Sequence, residues 1–92
     1  MNHDAATLRE LLEQLVTSVP TTRQETIDLW ESFKDCRLEL IRQGMPMSDD
    51  QSHRLRQMAY RVEMVATGQA VPDSIPSEAR LALRAFGWIA PD

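Results

Sequence analysis

From Leu8 to Phe86 the apolar residues recur at intervals of three and four, and the recurrence is cut at Pro20, Gly44 and Gly68. That spacing gathers side chains on one face of a helix, whereas a half-buried strand needs strict alternation. No stretch alternates Val, Ile, Thr or aromatic residues, and no Asn-Gly or Asp-Gly hairpin signal is present. The chain is therefore read as all-α, a small antiparallel bundle of about four helices over 4–19, 23–43, 49–67 and 76–86. Its 92 residues hold a single helical domain, 1–92.

The punctuation between the periodic segments supports these bounds. Leu8, Leu11, Leu12, Leu15, Val16 and Val19 share the apolar face of the first helix, with Asn2 or Asp4 as its cap. Pro20 ends it by pushing Val19 out of the α region. Thr22 and Glu25 have the spacing of a capping box, as do Ser48 and Gln51 before the third helix. Asp49 and Asp50 then complement the helix dipole. Gly44 and Gly68 suit left-handed C-terminal stops, and Gly87 with Trp88 suits another, with the indole packed near Leu83. Ile89, Ala90 and Pro91 follow as an apolar tail. Short connections predict that the first three helices are antiparallel neighbours.

The second helix carries more apolar surface than a simple bundle needs. Leu29, Phe33, Cys36 and Leu40 form one regular stripe with no charge inside it. Ile27, Trp30, Leu38 and Ile41 form a second, beside Lys34 and Arg37. Together the two span roughly 200° of the helix, where a surface helix typically buries a stripe a little over ~100° wide. The first stripe is assigned to the core and the second to contact with another protein. Tyr60 and Met64 of the third helix, and Trp88, are added to that surface because Trp, Tyr and Met are enriched in interface cores. Each of these residues taken singly is adequately explained as core; their sum in so short a chain is what points outward. A homodimer is expected, together with a protein partner.

Other classes of function find less support. Ten basic residues face fourteen acidic ones, and no segment between the helix boundaries is net positive. That balance counts against nucleic acid and anionic membranes. A helix-turn-helix around Gly44–Ser48 would lead with Asp49 and Asp50, which repel phosphate, although Gln51 and Arg54 are able to read base edges. No apolar run approaches the ~18 residues of a membrane span. The N-terminal MNHDAATLRE has neither the basic nor the apolar region of a secretory signal, and the single Cys36 forms no internal disulfide, so a cytoplasmic location is expected.

Asp49, Asp50 and His53 make half a metal site without a second half. Cys36, with His3 or His53 as base, lies on the apolar stripe and reads as an inert core thiol. Glu10, Glu13, Asp28, Glu31, Asp35 and Glu39 read as solvated charge, with Lys34 and Arg42 placed to relieve like-charge neighbours. No Gly-rich phosphate loop or nucleophile motif occurs, so neither an enzyme nor a cofactor nor a metal is expected. The function expected is a small cytoplasmic protein-binding regulator or adaptor, of the inhibitor or anti-activator type, occupying a partner's interface. The alternatives are a DNA-binding transcriptional regulator and a subunit or assembly factor of a larger complex.

Overall fold

The first three helices start where a side chain takes up amides that the helix leaves free. The computed structural model describes residues 4–89, so the possible cap Asn2, the possible base His3 and the tail residues Ala90 and Pro91 lie outside the described residues. Helix α1 (Ala5–Thr17) is capped by Asp4, whose carboxylate accepts from the Thr7 amide at 2.9 Å and the Thr7 hydroxyl at 3.0 Å. It stops at Ser18, already extended, before the reach of Pro20 on Val19 is felt. The expected bound at residue 19 is thus two residues long.

Helix α2 (Arg23–Arg42) begins with Thr22 accepting from the Glu25 amide at 3.1 Å. The Glu25 carboxylate reaches past the cap to the Thr21 amide, at 2.9 Å, and to its hydroxyl. The reciprocal half of the expected box is therefore moved one residue outward. Helix α3 (Asp49–Ala66) has the full box between Ser48 and Gln51. The Gln51 side chain also donates to the Ala85 carbonyl at 3.1 Å, tying the start of α3 to the end of the last helix. That helix, α4 (Ile75–Ala85), follows a 3-10 turn over Pro72–Ser74 and begins one residue before the expected Pro76. Proline is tolerated there because a first-turn amide has no helical acceptor to lose.

Gly44, Gly68 and Gly87 all have positive φ, between 73° and 79°. Past each, the next amide turns back to a carbonyl of the last helical turn: Met45 to Leu40, Gln69 to Met64 and Trp88 to Leu83, at 2.7–3.1 Å. These are Schellman stops, and an L-residue with a Cβ is strained in that conformation.

One apolar cluster joins all four helices. It contains Leu8, Leu12 and Leu15 of α1; Phe33, Cys36 and Leu40 of α2; Leu55, Met58, Val62 and Val65 of α3; and Ile75, Ala79, Ala82 and Leu83 of α4. Helix α4 packs on both α1 and α3, and α2 packs mainly on α3. Helices α1 and α2, expected to be neighbours, are in contact, but α1 packs more extensively on α4 and α2 on α3. The buried Ala79 and Ala82 leave room for a helix on either side of α4. Trp88, expected near Leu83 and also added to the outer surface, is half-buried against the cluster, as is Ile89 of the expected apolar tail. The Trp88 ring stacks on Phe86 at 4.6 Å between centroids.

The molecule measures 33 × 32 × 20 Å. Its short dimension is about two helix diameters. There is one buried layer, and every helix keeps an outer face. No described helix is long and apolar enough to cross a membrane.

Candidate functional site

The outer face of α2 is where the apolar surplus was expected, and the structure splits that stripe along its length. Leu38 and Ile41 stand 53% and 49% exposed. Ile27 is half-buried. Trp30 is half-buried too, but packs against the core, so it serves the interior with one edge and the surface with the other.

Trp30 forms one wall of a cleft of about 250 Å³ between α2 and α3. The facing residues are Ala59 and Tyr60, with Tyr60 58% exposed. Three cations, Lys34, Arg37 and Arg56, and one carboxylate, Glu63, complete the lining. The Lys34 ammonium lies 5.3 Å from the centre of the Trp30 ring, within cation–π range. Lys34 therefore sits over the indole, while Glu39 takes the Arg42 guanidinium at 2.8 Å and accepts from the Gln43 side-chain amide at 3.2 Å.

What marks the cleft is that three cations lacking an ion pair share one lining. Arg9, Arg42, Arg54 and Arg61 are paired with Glu13, Glu39, Asp50 and Glu78, at 2.6–3.8 Å. Among the described residues, Lys34, Arg37 and Arg56 have no carboxylate within salt-bridge distance. A chain with net charge −4 thus gathers three unpaired cations around two aromatic rings.

Of the residues singled out from sequence, the cleft brings together Trp30 and Tyr60. Leu38 and Ile41 continue along α2 beyond it, Met64 is half-buried on α3, and Trp88 packs elsewhere, on Phe86. Arg56 and Glu63 were not anticipated. Helical spacing from Tyr60, four residues back and three forward, carries both onto its face and was the available signal. Val71, 65% exposed, was not anticipated either.

The remaining candidates for chemistry stand apart from the cleft. Cys36 is buried among core residues, and burial, with a smaller push from the Asp4 carboxylate, raises its thiol pKa. A protonated, buried thiol is a poor nucleophile. Asp49, Asp50 and His53 are exposed, and Asp50 faces Arg54. Among the described residues no three His, Cys, Asp or Glu side chains are grouped to hold a metal ion. The start of α3, the end a helix-turn-helix would insert into DNA, is acidic and exposed. No family model, no curated protein and no solved structure matches the chain.

Proposed function

We propose that this protein is a cytoplasmic protein-binding regulator or adaptor, acting by occupying a partner's interface with the outer face of α2 and α3. The observation that carries the reading is the Trp30–Tyr60 cleft with its unpaired cations. Rigid aromatic side chains and arginines dominate binding energy at protein interfaces. The cleft is open and falls below the ~300–1,000 Å³ usual for small-molecule sites. Its walls come from two capped helices, so the side chains are held without a partner's help.

Photo-cross-linking tests it. With Tyr60→p-benzoylphenylalanine in cells of the source organism, one discrete adduct with a different protein is expected. The same reactive group at exposed Arg80 should not give it. Absence of a discrete adduct, or an equal one from Arg80, overturns the reading.

A second reading, self-association, is favoured by one observation: Leu38 and Ile41 lie half exposed on neighbouring turns of α2. Sedimentation at micromolar concentration should then give twice the monomer mass, and Leu38→Lys should restore the monomer. A monomer at high concentration overturns it.

A further inference from the structure

The cleft's lining also indicates what kind of protein segment it takes. We propose that the α2–α3 cleft captures an acidic segment of a partner protein, one apolar or aromatic side chain of which is flanked by carboxylates. This rests on reading the cleft as a protein-binding site and adds the chemistry of its ligand.

The rings of Trp30 and Tyr60 and the methyl of Ala59 offer an apolar floor to a single side chain. Around that floor the charge is three cations against one carboxylate, in a protein that is otherwise acidic. Four other arginines are paired with carboxylates, and Arg23 and Arg80, which have no such pair among the described residues, lie outside the cleft lining. Lys34, Arg37 and Arg56 are left for charges that the chain itself does not supply. Arginine and lysine beside aromatic rings match carboxylates that flank an apolar anchor.

Two other occupants fit less well. A second copy docked cleft to cleft about a two-fold axis sets Lys34, Arg37 and Arg56 against their own counterparts. A nucleic acid carries a phosphate at every nucleotide, so its backbone must also run past exposed Glu31 and Asp35 on α2. A peptide places its carboxylates only where cations await them.

The test is selection of a random dodecapeptide phage library on the intact protein, with winners measured by fluorescence anisotropy. Enriched peptides should carry Asp or Glu on both sides of a large apolar residue. Their affinity should fall about tenfold or more with Lys34→Glu or Arg56→Glu, and in high salt, while Arg80→Glu leaves it unchanged. All three substitutions are at exposed helical positions, and unchanged circular dichroism verifies folding. Tyr60→Ala should weaken binding without a change in salt dependence.

Enrichment of neutral or basic peptides, no enrichment, or equal binding by the charge-reversed variants overturns the proposal. So does tighter binding of a single-stranded oligonucleotide that competes with the peptides. If the Tyr60 cross-link persists while the peptide result fails, the cleft binds protein and only the assigned chemistry falls. If both fail, the reading of the cleft falls with it.

Discussion

The two apolar stripes of α2 are similar in composition and opposite in fate. Phe33, Cys36 and Leu40 are almost wholly buried, whereas Leu38 and Ile41 remain about half exposed. Hydrophobicity does not separate them. What does is the 20 Å thickness of the molecule, which gives each helix one inner face and leaves the other without a neighbour. Trp30, between the stripes, belongs to both. An amphipathic pattern wider than one face therefore announces surplus surface, and the number of packed layers decides which part is surplus.

That contrast is easiest to break with Phe33→Ala. Truncating a buried phenylalanine costs about 3–5 kcal/mol, a large share of the ~5–15 kcal/mol that typically holds a domain together. Thermal unfolding should show a far lower melting temperature, while Leu38→Ala and Ile41→Ala should change stability by ~0.5 kcal/mol or less. Similar losses at all three positions would erase the distinction. Cys36→Ser comes next, at about 1–3 kcal/mol, because it puts a hydroxyl into the inner stripe. The same burial and raised pKa predict that the native Cys36 thiol resists an aromatic disulfide reagent and reacts once denatured.

Smaller effects probe how the elements are tied. Ser48→Ala should cost about 1 kcal/mol in denaturant unfolding by removing the acceptor at the start of α3. Gln51→Leu should cost more than the equivalent loss at Glu25, since Gln51 also holds the Ala85 carbonyl of α4, whereas Glu25 reaches only Thr21. The smallest change is in acid. The Thr7 amide and hydroxyl hold the Asp4 carboxyl below its ordinary pKa, so its stabilisation is complete above ordinary aspartate values and disappears as pH falls through the lowered one. Any difference in melting temperature between wild type and Asp4→Asn should therefore be full at neutral pH and close in strong acid. A difference that persists there would mean the charge is not what the cap uses.

Local chemistry was legible residue by residue. Asp4, Thr22 and Ser48 cap the helices assigned to them, and Gly44, Gly68 and Gly87 stop α2, α3 and α4. Of the inner stripe of α2, Phe33, Cys36 and Leu40 are buried as read, while Leu29 is only half-buried against the core. Three features were not legible: the shift of the Glu25 bond to Thr21, the start of α4 at Ile75, and the half-burial of Ile89. The first two turn on competition between adjacent amides, which spacing does not resolve. The third depends on how the end of the chain meets the assembled apolar cluster.

Helix number, caps and stops follow from interactions spanning three to five residues, and these are written into the chain order. The packing of α1 on α4 more than on α2 is not, because it depends on how closely Ala79 and Ala82 let two helices approach at once. Nor is the cleft. Trp30, Lys34 and Arg37 were visible on one helix and Tyr60 on another, but only the docking of α2 on α3 sets them around one space, since long-range packing fixes which helical faces meet.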